Sequence, residues 1–147
     1  MDREEYMDAA LELAREAFAA GEVPVGCVIV RDGRVIATGR NRREATHDAS
    51  AHAEMEAIRS ACRAVGDWRL SDCSIFVTLE PCPMCAGAVI NSRIPTVVFG
   101  AKDENTGSCG SVINLFEERY GHKPKVFGGV REKECAELLR SFFEEKR

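Results

Sequence analysis

Ser50-Ala51-His52-Ala53-Glu54, answered downstream by Pro81-Cys82-Pro83-Met84-Cys85, is the pair of segments around which this chain must organise itself. Together they supply one imidazole, one carboxylate and two thiols. Twenty-six residues separate Glu54 from Pro81, room for one helix, a turn and one strand. If the ends of two helices meet, three of these side chains can grip a metal ion and leave one position open.

The elements on either side follow from periodicity. A helix is expected from about His52 to Val65, closed by Gly66, and a β-rich strand over Ser74–Leu79. Pro83 suits the first turn of a helix that continues over Met84–Asn91, and Thr96–Phe99 reads as another buried strand. Upstream, residues 2–20 carry an apolar stripe (Met7, Ala10, Leu11, Ala14, Ala17, Phe18) behind an Asp2 N-cap with Glu5 three positions on. Gly21 and Pro24 end that helix. Val25–Val30 is a nearly continuous apolar run, Arg31-Asp32-Gly33-Arg34 holds an Asp-Gly turn signal, and Val35–Thr38 returns as its hairpin partner. A strand apolar on both faces belongs in a sheet covered on both sides.

Between these elements, Arg40–Ser50 reads as a polar loop and Lys102–Ser111 as a Gly- and Ser-containing irregular segment. Val112–Arg119 is expected to be helical, Lys125–Phe127 to be a last strand, and Arg131–Glu145 to be a closing amphipathic helix. Its inner side would carry Cys135, Leu138, Leu139, Phe142 and Phe143. Helix, hairpin, then alternating helix and strand argues for one α/β layered domain spanning residues 1–147.

Bulk properties narrow the field. The 147 residues, 45% hydrophobic and 30% charged, suit a single globular domain with a sizeable core. No window approaches a membrane span, and the polar, acidic N-terminal segment does not read as a signal peptide, so a cytoplasmic location and no membrane partner are expected. Seven cysteines without an export signal make disulfides an improbable use, and a Cys-x-x-Cys then points to metal or redox chemistry. The other five are expected mostly as small buried hydrophobes. The net charge of −4 speaks against a nucleic-acid partner, although basic clusters at Arg40, Arg42 and Arg43, at Lys123 and Lys125, and at Lys146 and Arg147 could supply a local footprint.

Zinc prefers nitrogen and sulfur donors in a tetrahedron, and catalytic sites keep one corner for water. Cys82 and Cys85 at a helix start can aim both sulfurs at one point, where the positive helix end favours thiolates. His52 would bind as neutral imidazole. Residues two apart on a helix diverge, so His52 and Glu54 converge only if that helix is just beginning. Placed there, Glu54 can sit beside the metal's water without being a ligand and serve as general acid and base. Neither His-x-Glu nor Cys-x-x-Cys is specific alone; in this order, with Pro81 before Cys82, they match the signature of zinc-dependent nucleobase deaminases.

Further segments carry the same likeness: Glu22-Val23-Pro24-Val25-Gly26, Val77-Thr78-Leu79-Glu80-Pro81, Ala86-Gly87-Ala88, Ser92-Arg93-Ile94 and Val97-Val98-Phe99-Gly100-Ala101. Over nearly its whole length the chain resembles the bacterial tRNA-specific adenosine deaminase family. That resemblance implies a three-layer α/β/α cytidine-deaminase-like fold with a five-stranded mixed central sheet, and a homodimer. It implies Zn2+ held by His52, Cys82 and Cys85, and hydrolytic conversion of adenosine to inosine at the wobble position of a tRNA anticodon stem-loop, with release of ammonia. Glu54 would protonate the ring nitrogen and then the leaving amine. Asn41 matches a family asparagine that hydrogen-bonds the target nucleotide, and Asp103 matches an aspartate beside the RNA backbone. In Tyr120-Gly121-His122 the chain departs from the family pattern, because Gly121 stands where an asparagine is frequent.

Two alternatives share these residues. A deaminase of a free base or nucleoside, of guanine or cytosine type, would use the same metal site. A non-enzymatic zinc module would close the fourth corner with another cysteine, such as Cys73 or Cys109, and leave Glu54 an ordinary helix carboxylate.

Overall fold

One apolar strand, buried on both faces, explains the architecture. The structure, a computed structural model, describes residues 2–146; Met1 and Arg147, the last residue of the C-terminal basic pair, lie outside it. Strand β1 (Gly26–Arg31) sends Cys27 and Ile29 to one face of a sheet, and Val28 and Val30 to the other. Strands β3 (Cys73–Leu79) and β4 (Thr96–Ala101) alternate the same way, with Ile75, Val77, Val97 and Phe99 on the first face and Phe76 and Val98 on the second. Two apolar faces require two covering layers.

The sheet has five strands in the order β2-β1-β3-β4-β5, where β2 is Arg34–Arg40 and β5 is Lys125–Phe127. Strand β1 is antiparallel to both β2 and β3, while β3, β4 and β5 run parallel, so the sheet is mixed as expected. Helices α3 (Ala53–Val65) and α4 (Pro83–Ser92) cover the first face; α1 (Arg3–Ala19) and α5 (Glu132–Glu145) cover the second. The result is the expected three-layer α/β/α arrangement.

Local chemistry sets the joints. Asp2 accepts a hydrogen bond from the Glu5 N–H at 3.0 Å and starts α1. Asp32 and Gly33 both take positive φ, 52° and 74°, the two-residue turn whose twist matches a hairpin. Gly26 and Gly39 serve a different purpose: they let helices approach. A Cβ on Gly26 would stand 2.0 Å from the Ala10 carbonyl oxygen of α1, and one on Gly39 would stand 2.2 Å from that of Ala53 in α3.

Three expectations fail. Residues Val112–Arg119 form only a 3-10 turn over Leu115–Glu117, because the segment folds back on the loop before it: Val112, Ile113 and Leu115 donate to the carbonyls of Gly107 and Ser108, and Asn114 bridges Cys109. The Arg40–Ser50 loop contains a single helical turn, α2 (Arg43–Thr46). Phe143 is not an inner residue of α5: it is 49% exposed, one position past the buried Phe142, and meets that ring edge-on at 5.5 Å.

All seven cysteines are free; Cys27, Cys73, Cys85 and Cys135 are buried and the others are half-buried.

Candidate active site

Strands β2, β3 and β4 all end at one edge of the sheet, and the helices α3 and α4 begin there. His52 is the N-cap residue of α3 and Cys82 that of α4, each with extended backbone and with its side chain free of capping duties. Pro83 starts α4, and Cys85 lies one turn beyond Cys82. The two helix starts bring His52 Nδ1 to 3.6 Å from the sulfurs of both Cys82 and Cys85. All three donor atoms lie within 4.8 Å of one another.

Tetrahedral zinc, with bonds of about 2.0 Å to nitrogen and about 2.3 Å to sulfur, sets its nitrogen and sulfur ligands about 3.5 Å apart. The two 3.6 Å separations fit that geometry, and the donor set is the one zinc prefers. Among the described residues this is the one cluster of three or more potential ligands. Neither Cys109 nor Cys73 joins it, and Cys73 lies at the opposite end of β3 from the site. A structural module closed by a fourth cysteine is therefore not what these residues build.

The thiols share one proton. Hydrogen bonding from Cys85, assisted by His52, pulls the Cys82 thiol down to about 4. The same hydrogen bond and burial push Cys85 far up. The bond to Cys82 raises His52 above its usual range. A cation bound here replaces the protons that Cys85 and His52 hold.

Glu54 is the second residue of α3 and is 4% exposed. Burial pushes its carboxyl up to about 7, before the charge of any bound cation is added. A carboxyl poised near neutrality can both take and return a proton.

His52, Glu54 and Cys82 line a cavity of about 620 Å³, within the range of small-molecule sites. Val23, Val25 and Leu79 give it an apolar face, with Leu139 and Phe143 of α5 beyond; Asn41 and Arg43 stand on one side and Lys102–Thr106 on the other. Asn41 is 6% exposed, donates from Nδ2 to the Val23 carbonyl at 3.4 Å, and leaves its Oδ1 without a partner. A buried acceptor left open in a pocket wall is suited to a ligand donor.

Asp103 also lines the cavity, but its oxygens are already used. Oδ1 accepts from the N–H groups of Asn105 and Thr106, and Oδ2 from the Thr106 hydroxyl. It is a loop former first. Arg43 belongs to a basic cluster visible in the sequence, whereas Lys102, Leu139 and the exposed face of Phe143 carry no sequence signal for this place. Glu80, which itself lines the cavity, and Glu22, buried in the loop on its other side, were legible only as carboxylates embedded in apolar segments.

Comparison with known proteins gives a consistent result. The sequence profile of the MafB19-like deaminase family matches residues 1–147. The tRNA-specific adenosine deaminase of Bacillus subtilis (strain 168) is 50% identical over 143 residues, 97% of this chain and 89% of that protein. A solved tRNA:A34 deaminase, studied for A-to-I editing at the wobble position of transfer RNA, is 44% identical with a TM-score of 0.89, over 91% of this chain and 98% of its own. A guanine deaminase from Nitrosomonas europaea is 27% identical with a TM-score of 0.84, over 95% of this chain and 83% of its own.

Proposed function

The chain belongs to the bacterial tRNA-specific adenosine deaminases, within the MafB19-like deaminase family, and on that premise we propose that it hydrolyses adenosine to inosine at the wobble position of a tRNA anticodon stem-loop, releasing ammonia. The observation that carries the reading is the triangle of His52, Cys82 and Cys85 beside the buried carboxyl of Glu54, with His52, Cys82 and Glu54 in the wall of a nucleoside-sized cavity.

His52 through Nδ1 and the sulfurs of Cys82 and Cys85 would hold Zn2+. Bound there, zinc supplies a Lewis acid that makes water nucleophilic near neutral pH. Glu54 takes one proton from that water, delivers it to the ring nitrogen next to C6 as the water oxygen bonds to C6, and carries the second water proton to the departing amine. Ammonia leaves and the C6 carbonyl of inosine remains, so one carboxyl serves both transfers. The open Oδ1 of Asn41 is available to a donor of the target nucleoside. Val23, Val25 and Leu79 exclude water from one side of the base. A base in a stacked loop reaches this depth only after turning out of its stack. Arg43 and Lys102 at the cavity provide cations for the flanking phosphates, and Asp103 holds the loop beside them.

The family premise favours RNA over a free base. Incubating the zinc-loaded protein with an adenosine-bearing anticodon stem-loop, free adenosine and free guanine tests this. Ammonia and inosine should arise from the stem-loop; turnover of guanine alone would overturn the assignment.

The active unit is proposed to be a homodimer, for which Val112 and Ile113, 53% and 48% exposed on neighbouring residues, supply apolar surface. Light scattering during size exclusion checks the mass. No helix among the described residues is long and apolar enough to cross a membrane, and the proposed substrate places the protein in the cytoplasm.

A further inference from the structure

Two buried carboxylates are left without a part in the reaction. Glu22 and Glu80 are 1% and 2% exposed, and among the described residues neither makes an ion pair. A buried carboxylate without a cation is costly unless N–H groups solvate it. Each of these is solvated by the backbone of one loop. Glu22 accepts from the N–H groups of Glu44 at 3.0 Å and Ala45 at 2.8 Å, at the start of α2 and directly after the cavity residues Asn41 and Arg43. Glu80 accepts from the N–H groups of Asp103 at 3.1 Å, Cys109 at 2.9 Å and Ser111 at 3.1 Å, and from the Ser111 hydroxyl. Gly107 leaves room for it: a Cβ there would stand 2.5 Å from the Glu80 carboxyl.

These loops leave the ends of β2 and β4, with β1 and β3 between them. They form two sides of the cavity; backbone bonds such as Asn41 N–H to the Val25 carbonyl and the Cys109–Asn114 bridge tie parts of them down, but the Asp103 N–H and the Glu44 and Ala45 N–H groups are bonded to these carboxylates. We propose that Glu80 is a positioning residue for the substrate: it fixes the Lys102–Thr106 wall through the Asp103 N–H, while Glu22 does the same for the wall carrying Asn41. The proposal rests on the substrate reading above and extends it to what sets affinity.

The division of labour within the Glu80 carboxyl sharpens the test. Oε2 receives the N–H groups of Cys109 and Ser111, whereas Oε1 receives the Asp103 N–H and the Ser111 hydroxyl. In Glu80→Gln the amide nitrogen settles at the Oε1 place, because the hydroxyl can turn and accept from it while a backbone N–H cannot. The variant thus frees the Asp103 end of the loop, which touches the cavity, and keeps the far end.

The experiment compares zinc-loaded wild type and Glu80→Gln for KM and kcat on the stem-loop, bound metal, and amide hydrogen exchange. KM should rise about tenfold with kcat held within about twofold, as for one lost bond to a charged acceptor. Metal content should not change, and the Asp103 amide should exchange faster while Cys109 and Ser111 stay protected. An unchanged KM, or loss of metal with all three amides exposed, would overturn the proposal. If Glu80→Gln does not fold, Ser111→Ala strips the hydroxyl that holds Oε1 against the Asp103 N–H, so the Asp103 amide should exchange faster and KM should rise about threefold; no change in either has the same adverse meaning. A wild type inactive on the stem-loop would refute the substrate reading, while the exchange of the Asp103 amide would still decide this one.

Discussion

His52 and Cys82 are the N-cap residues of two different helices, and only 3.6 Å separates the imidazole Nδ1 of one from the sulfur of the other. Neither side chain caps its own helix, so both are free to face a cation. Removing one donor and removing the nearby acid should then have separable effects. Cys82→Ala should lose both metal and turnover. Glu54→Ala should keep one metal per chain and lose turnover by a factor of at least about 100, the usual contribution of a general acid–base group. Metal analysis and single-turnover assays on the same samples check both; normal turnover in Glu54→Ala would remove that residue from the mechanism.

Metal affinity should rise with pH. Near neutrality Cys82 is already a thiolate, while Cys85 is held protonated by its bond to Cys82 and by burial, and His52 is raised by Cys82. Binding must displace those protons, so lowering the pH favours the unbound form by about tenfold per unit for each proton displaced. Calorimetry in buffers of different ionisation enthalpy should register at least one proton released at pH 7. No release would mean that the thiols are not the ligands.

The close helix contacts make a stability prediction. Gly26→Ala places a methyl 2.0 Å from the Ala10 carbonyl oxygen and 2.6 Å from the Ala14 nitrogen, both backbone atoms that cannot swing aside. Overpacking of this kind costs about 3 kcal/mol and should lower Tm by roughly 10 °C in a chain of this size. Gly39→Ala should behave alike against Ala53 and Ala57. Thermal melts at fixed metal concentration measure both, and a change below about 2 °C would contradict the packing described.

The layers and the meeting of His52, Cys82 and Cys85 were legible because each rests on short-range rules. The continuous apolar run of Val25–Val30, the Asp32-Gly33 turn, Gly66 as a helix stop and Pro83 as a start are local signals, and the elements occupy nearly the expected ranges. His52 and Glu54 could be placed by asking where a helix must begin for them to converge. What failed depends on distant partners. The 112–119 segment has the composition of a helix, but Gly107 and Ser108 capture its N–H groups, and Glu80 anchors the stretch just before it. Phe143 looks like a core residue in a helical stripe, yet it lies one position, about 100° of helix rotation, past the buried Phe142, and its ring meets the cavity instead. Asp103 could be aligned with a family residue, but not shown to hold its own loop.

Acid should loosen the Glu80 loop. Burial alone would raise this carboxyl, but the Ser111 hydroxyl and three backbone N–H groups outweigh it and hold the group below its ordinary 4.5. A depressed folded value means that the stabilisation is fully present above about 4.5 and is lost as pH falls through the folded value. Glu80→Gln has no such group to titrate. The Tm gap between wild type and this variant should therefore narrow below pH 4.5, and a constant gap would show that the carboxylate charge is not what the loop uses.

The most direct test is mass spectrometry of a synthetic anticodon stem-loop incubated with the zinc-loaded protein, read nucleotide by nucleotide. The account predicts that the wobble adenosine alone exchanges its amino group for a carbonyl oxygen, and that Glu54→Ala leaves it untouched. A stem-loop recovered unchanged by wild type, or conversion that persists without Glu54, would contradict it.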